Sequence, residues 1–318
     1  MDKNFIKIIN SKKFSKNNIK TDSRNVSSGD VFIAIKGTAH DGHDHVREVI
    51  KKGASCVICE HSLSGLDEKD LKKIIVTEDT REALACLAKS FYNDPSGSLL
   101  TVGVTGTNGK TTTVFLLDSI LNMAGKKCGM ISTVYLKTNG DKLERSSMTT
   151  PDIITTNRLL EEMVQNGKKA AVIEMSSHAL DQKRVWGIEL DAAIFTNITP
   201  EHLDYHKNME RYLKDKSKIF KNLKKCGKAV LNIDDVMVAG LAREKDFPGL
   251  VTFGVEQDAD IKAENIELSR TGTKFDICTR KTGKKFGMNT TLVGLHNVYH
   301  ILGVTACLID GFVAQAKI

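Results

Sequence analysis

The segment Gly103-Val104-Thr105-Gly106-Thr107-Asn108-Gly109-Lys110-Thr111-Thr112 constrains this chain more than any other, because it joins an apolar strand at 99–105 to a helix at 114–123 through a glycine-rich loop. Glycines there let backbone N–H groups close around phosphate oxygens, and the helix N-terminus adds a dipole that favours negative charge. Lys110 supplies a point charge for β- and γ-phosphates, and Thr111 a hydroxyl for Mg²⁺. The strict phosphate-loop pattern has glycine where this chain has Val104, but the strand–loop–helix setting is the one the chemistry needs.

Around that loop the pattern repeats strand then helix, with further buried strands at 170–174, 191–196, 229–232 and 251–254. This order predicts a mostly parallel sheet covered by helices on both faces. Shorter strands with Gly and Lys turns over 259–292 predict an antiparallel extension, and 297–311 reads as a last helix. Before the loop, apolar strands at 31–35 and 54–59 flank a helical stretch at 45–52, and a second helix covers 81–92. The run Asn93-Asp94-Pro95-Ser96-Gly97-Ser98 is the best linker signal, giving a small α/β domain at 1–97 and a phosphate-loop ATPase domain at 98–318.

Ligands of open α/β sheets gather at the carboxyl ends of the strands. Glu174 ends one predicted strand and is followed by Met175-Ser176-Ser177-His178; Thr196-Asn197 ends the next and leads to His202-Leu203-Asp204-Tyr205-His206. A Mg²⁺ ion held by one threonine and phosphates needs such a carboxylate nearby. Lys216 lies in a lysine-crowded helix, and its spacing alone makes it a solvated-face lysine. Cys56 and Cys59 form a C-x-x-C, but residues three apart on a strand point to opposite faces, so no zinc or redox site is expected there.

The chain has 318 residues, 41% of them hydrophobic and 27% charged, the balance of a folded protein with two domains. Seven cysteines without regular spacing fit a reducing cytoplasm better than a disulfide framework. No stretch reaches the ~18 consecutive apolar residues of a membrane span, and the first twenty residues lack a signal-peptide apolar region. A net charge of +7 favours anionic partners. Nucleic acid is a poor candidate among them, since the lysines are scattered and only 6% of residues are aromatic.

Taken together, the motifs resemble the Mur ligases, nearest the branch that adds the third amino acid of the peptidoglycan stem peptide. The resemblance rests on Asp22-Ser23-Arg24 with the segment from Gly29 through Gly37 and Asp41-Gly42-His43, on Gly106 through Thr112, on Thr149-Thr150-Pro151-Asp152, and on Glu174-Met175-Ser176-Ser177-His178-Ala179-Leu180 with Arg184-Val185. It continues through His202 to His206, Asn232-Ile233-Asp234-Asp235 and Gly294-Leu295-His296-Asn297. It implies an ATP-dependent amide ligase working on UDP-MurNAc-L-Ala-D-Glu and an amino acid through an acyl phosphate. By the same resemblance Ser23 binds the UDP end, and Thr149, Thr150, Ser176, Gln182 and Arg184 contact the muramoyl dipeptide. Arg184 suits that task because a guanidinium pairs with carboxylate or phosphate through two parallel hydrogen bonds. ATP falls to Gly106, Thr107, Asn108, Gly109, Lys110, Thr111 and Thr112, with Asn232 and with Asn297 near adenine. Thr111, Glu174 and His202 hold Mg²⁺, and Lys216 matches the lysine that reacts with CO₂ to give a carbamate, turning a cation into a metal-binding anion.

Two departures stand out. The family's third domain, which carries the incoming amino acid, is expected after residue 318, so the chain is either a shortened form with little activity alone or one that takes that domain from a partner. The family often has asparagine where this chain has His300. Two other functions remain: a folylpolyglutamate-synthetase-like ligase, disfavoured by Asp22-Ser23-Arg24, and a non-catalytic ATP-binding module, disfavoured by the presence of Lys110, Glu174, His202 and Lys216.

Overall fold

The structure is a computed structural model that describes residues 18–37, 40–62, 64–247 and 249–309. The expectations for the first seventeen residues, and the end of the last predicted helix at 310–311, lie outside the described residues. The chain divides into two units, Met1–Asp94 and Pro95–Ile318. The division falls at Asp94/Pro95 because the turn Pro95–Ser98 is tied into the second unit, where the Ser96 hydroxyl accepts from the Glu189 N–H at 3.1 Å.

In the first unit, strands β1 (Ile19–Lys20), β2 (Val31–Ile33), β3 (Cys56–Cys59) and β4 (Ile74–Val76) form a parallel sheet in that order. The outer strands β1 and β4 were not legible as strands: they are two and three residues long, too short to show alternation. Phe32, Val46, Val49, Ile50 and Val57 build the core with Cys59. Cys56 and Cys59 are both buried and neither is in a disulfide, and only Cys59 belongs to that core, as the strand alternation requires. Helix Thr80–Phe91 starts on Asp79, whose carboxylate accepts from the N–H groups of Arg81 and Glu82.

The second unit is an eleven-stranded sheet among the described residues. Its strands are β5 (Leu100–Thr105), β6 (Cys128–Ile131), β7 (Tyr135–Lys137), β8 (Glu144–Arg145), β9 (Ala170–Glu174), β10 (Leu190–Phe195), β11 (Leu223–Asn232), β12 (Leu250–Gly254), β13 (Ile261–Leu268), β14 (Thr273–Thr279) and β15 (Lys285–Thr290). Their order is β15-β14-β13-β12-β11-β10-β5-β9-β6-β7-β8. The run from β13 to β6 is parallel, and β14 and β15 form the expected antiparallel extension. A second antiparallel edge, β7 with β8, lies on the opposite side and was not anticipated.

Alternation along the strands feeds two cores. Val102, Val104, Ile194 and Val230 face helices Lys110–Met123 and Leu295–Leu308 through Val114, Leu117, Val298 and Leu302. Phe195, Ala229 and Leu231 face the other way, against Tyr212, Val238 and Leu241. The chain runs from β5 outward to β6, returns to β9 and then crosses to β10 on the other side of β5. The strand order therefore reverses at β5, and the crevice beyond its carboxyl end is where such sheets bind ligands.

Candidate active site

The loop after β5 is fixed from beneath by the end of β10. Thr107 donates its N–H to the Asn197 carbonyl at 2.9 Å, Asn108 donates to Asn197 Oδ1 at 2.9 Å, and the Thr196 hydroxyl donates to the Asn108 carbonyl at 2.7 Å. Two glycines carry the turn in left-handed backbone, Gly106 at φ 147° and Gly109 at φ 85°. Both approaches leave no room for a side chain, since a Cβ would lie 1.9 Å from Thr196 Oγ1 at Gly106 and 2.1 Å from His300 Nε2 at Gly109. Gly109 caps helix Lys110–Met123 without a side-chain acceptor for its first-turn N–H groups. Lys110 arches over the loop, its ammonium donating to the carbonyls of Gly106 and Thr107 at 3.0 and 2.8 Å. Burial lowers its pKa from the ordinary lysine value.

β9 pairs with β5 in the register Val104↔Glu174, which brings Glu174 to the loop. The carboxylate is buried and accepts the Thr111 hydroxyl at 3.1 Å on each oxygen. It also accepts the N–H and hydroxyl of Thr133 at 3.0 and 2.9 Å. Thr133 was missed in the sequence because the strand before it, β6, was not read; with β6 recognised, Ser132-Thr133 stands at a third carboxyl end beside the loop. Glu174 and Thr111 are hard oxygen donors suited to Mg²⁺. The described residues hold no group of three or more His, Cys, Asp and Glu side chains placed for a metal.

His202 sits apart from that pair. It starts the short helix Leu203–His206 at φ 54°, with its ring 4.8 Å from that of His178 and its Nε2 3.8 Å from Glu201. The structure places it on the same sheet edge as Glu174 but gives the two no shared partner among the described residues.

Lys216 corrects the expectation of a solvated lysine. It is 1% exposed, and its ammonium donates to the Gly106 carbonyl at 2.7 Å and lies 4.6 Å from the centre of the Tyr212 ring. The reason is its place on helix Met209–Ser217, where Tyr212, Asp215 and Lys216 are one buried face; a count of lysines does not reveal a face. Burial, followed by the nearby positive charge of Lys110, holds its pKa down to about 7.

The dipeptide candidates cluster beyond Glu174. The Thr150 hydroxyl donates to the Glu174 carbonyl at 2.8 Å and accepts the Ser176 N–H at 3.1 Å, and Thr149 accepts the Thr133 hydroxyl at 3.1 Å. Arg184 donates to Gln182 Oε1 at 3.0 Å from Nε and 2.6 Å from Nη2, which aims its guanidinium alongside this group. Asn232 ends β11, donating to the Thr196 carbonyl at 2.9 Å. Asn297, in the first turn of helix Leu295–Leu308, lies beside His300. In the first unit, Ser23 is 9% exposed in the turn Ser23–Asn25, which Asp22 caps by accepting from the Arg24 N–H.

The Mur ligase middle domain matches residues 104–308, and the Mur ligase family catalytic domain matches residues 16–92. The UDP-N-acetylmuramoyl-L-alanyl-D-glutamate--2,6-diaminopimelate ligase of Bacillus licheniformis is 40% identical over 306 residues, covering 94% of this chain and 61% of the relative. The Clostridium botulinum enzyme of the same name is 38% identical, covering 92% and 59%. The chain thus spans about three fifths of the length of these relatives. A solved structure of a UDP-N-acetylmuramoyl-L-alanyl-D-glutamate--2,6-diaminopimelate ligase superposes with a TM-score of 0.76 at 27% identity, covering 94% of this chain and 61% of that one. A Thermotoga maritima MurF ligase in complex with ADP shares the fold at a TM-score of 0.57 and 24% identity, covering 94% and 65%. No described helix is long and apolar enough to cross a membrane. With the middle-domain match alone running over more than half its length, the chain belongs to the Mur ligase family.

Proposed function

We propose that the chain carries the nucleotide and UDP-sugar sites of an ATP-dependent amide ligase of peptidoglycan precursor synthesis, one that adds the third amino acid to UDP-MurNAc-L-Ala-D-Glu. The amino acid in the names of its relatives, 2,6-diaminopimelate, is the first to assay. The observation that carries this reading is the meeting of three elements on one carbonyl and one carboxylate: Lys110 and Lys216 at the Gly106 oxygen, and Thr111 at Glu174.

In this reading ATP phosphorylates the free carboxylate of the dipeptide, the amine of the amino acid attacks the acyl phosphate, and phosphate leaves. The loop N–H groups and Lys110 hold the β- and γ-phosphates in line with the acceptor, which is most of what phosphoryl transfer asks of a protein. Thr111 and Glu174 would hold Mg²⁺, which neutralises charge on the transferred group, with His202 as a further ligand and a CO₂-derived carbamate on Lys216 as another. Lys216 is suited to that modification because an amine buried to a pKa of about 7 is largely unprotonated, and so nucleophilic, just above neutrality. Arg184, braced by Gln182, offers its guanidinium to a carboxylate of the dipeptide, and Thr149, Thr150 and Ser176 offer hydroxyls beside it.

Calorimetric titration of the 318-residue chain tests this. MgATP and UDP-MurNAc-L-Ala-D-Glu should each bind, and Lys110→Ala should lower ATP affinity by about a hundredfold while leaving the UDP-sugar unaffected. Unchanged ATP affinity in that variant, or binding of folate in place of the UDP-sugar, overturns the reading.

A further inference from the structure

Arg184 stands at one end of a series of hydrogen bonds whose other end is a carboxylate. Its Nε and Nη2 donate to Gln182 Oε1, and its Nη1 donates to the Thr150 carbonyl at 3.5 Å. Among the described residues those contacts use three of the five N–H groups of the guanidinium and leave two for a ligand. The other end of the Gln182 amide lies 3.3 Å from the Tyr205 hydroxyl, which in turn lies 2.8 Å from Asp181 Oδ2. Asp181 closes the short helix Ser177–Asp181, and Lys218 meets its second oxygen at 2.6 Å while meeting Asp215 at 2.6 Å. Through Asp215 the series is tied to the helix of Lys216.

The direction of each bond follows from the two ends. Arginine can only donate, so the Gln182 atom it meets is the oxygen, and the atom facing Tyr205 is the NH₂. Burial raises the Asp181 pKa, but the hydrogen bonds from Lys218 and Tyr205 outweigh it and hold the group at about 2. An ionised carboxylate can only accept, so the Tyr205 hydroxyl donates to Asp181 and takes the Gln182 hydrogen on its oxygen. The Gln182 amide is thereby fixed in one of its two orientations. A half-turn would set its NH₂ against the guanidinium and its oxygen against a phenol oxygen whose hydrogen is spent on Asp181.

Resting on the proposal that Arg184 binds a carboxylate of the dipeptide, we infer that Tyr205 and Asp181 are positioning residues for that contact, holding Gln182 as a fixed post on which the guanidinium is set before the ligand arrives. A long side chain ordered in advance is spared the cost of being immobilised on binding. Without the Tyr205 hydroxyl, Gln182 and Arg184 keep their own bonds but swing as a pair.

The test titrates UDP-MurNAc-L-Ala-D-Glu and UDP-N-acetylglucosamine, which has no carboxylate, into the full chain and into Tyr205→Phe. The phenylalanine keeps the ring that packs 4.3 Å from the His178 ring and removes only the hydroxyl. The parent should prefer the dipeptide ligand, and Tyr205→Phe should lower that preference by about fivefold or more while leaving ATP affinity unchanged. Asp181→Asn, which withdraws the anion that directs the Tyr205 hydrogen, should lower it as well. In an Arg184→Ala background Tyr205→Phe should change dipeptide affinity by less than about twofold, because its effect passes through Arg184. A full preference retained in Tyr205→Phe, a loss of the same size with and without Arg184, or an equal loss of ATP affinity overturns the inference. A parent that binds the two UDP ligands equally overturns instead the reading of Arg184 as a dipeptide residue.

Discussion

The ammonium groups of Lys110 and Lys216 donate to the same acceptor, the carbonyl oxygen of Gly106, at 3.0 and 2.7 Å. Two cations on one carbonyl repel each other, and the loop tolerates the pair because Lys216, the more deeply buried, loses its proton easily. Burial lowers the pKa of both lysines, and that of Lys216 reaches about 7, so Lys216 divides between cation and amine near neutrality.

That division predicts a pH-dependent stability. Lys216 has a folded pKa below its unfolded one, so the unfolded chain binds more protons between about pH 7 and the ordinary lysine value, and stability must rise with pH across that window. The contribution between pH 7 and 9 is about 2 kcal/mol. Urea unfolding in CO₂-free buffer should show this rise in the parent and a correspondingly flatter profile in Lys216→Met. Parallel profiles for the two proteins would show that Lys216 is not the group titrating.

Why Lys216 was hidden in the sequence while the phosphate loop was plain has a physical reason. The loop is local: six residues with glycine at the turning points carry both the backbone geometry and the anion chemistry. Lys216 acquires its role from Gly106, 110 residues away, through a helix face that only packing reveals. Glu174 fell between these cases, because a carboxylate closing an apolar run is readable, whereas its partner Thr133 follows the strand Cys128–Ile131, whose short apolar run is broken by Gly129. The parallel centre of the sheet was legible from its long apolar strands, and the hairpin of β7 and β8 was not, one of its strands being two exposed residues.

Glu174→Gln should separate metal binding from folding. The amide keeps an oxygen for the hydroxyls of Thr111 and Thr133 but removes the charge that a divalent cation needs. Titrations with ATP in the presence and absence of Mg²⁺ should show the metal's enhancement of affinity falling by about tenfold or more, with metal-free binding equal to or tighter than the parent's. Retention of the full Mg²⁺ effect would remove Glu174 from the cation site.

Gly106→Ala should be far more harmful than Gly125→Ala. Both glycines have positive φ, 147° and 79°, but a Cβ at Gly106 meets Thr196 Oγ1 at 1.9 Å and one at Gly125 meets nothing within 4 Å. Thr196 cannot move away, because its hydroxyl is held by the carbonyls of Thr105 and Asn108. Gly125→Ala should cost about 1 kcal/mol from backbone strain alone and keep ATP binding, whereas Gly106→Ala should cost about 3 kcal/mol and abolish it. Thermal unfolding with and without ATP reads both, and comparable losses in the two variants would mean that the loop yields where the structure holds it rigid.

Asp215, next to Lys216, braces the same buried face of the helix. It is 3% exposed and accepts from Lys218 Nζ at 2.6 Å, while its second oxygen lies 2.8 Å from His206 Nδ1. The opposite nitrogen of that ring meets the Ser177 hydroxyl at 3.0 Å, at the start of the helix that follows β9. Serine, histidine and aspartate in this order form a nucleophile's constellation elsewhere, yet Ser177 and His206 are 2% and 0% exposed, so nothing can reach them and the chain of bonds serves to lock the Lys216 helix to the end of β9. Asp215→Asn should therefore destabilise the fold by about 3 kcal/mol, because a buried cation contact and a ring contact are weakened together. Ser177→Ala, which removes only the far end, should cost about 1 kcal/mol. A loss in Asp215→Asn no larger than that of Ser177→Ala would show that the brace carries no load and that Lys216 is held by Tyr212 and the Gly106 carbonyl alone.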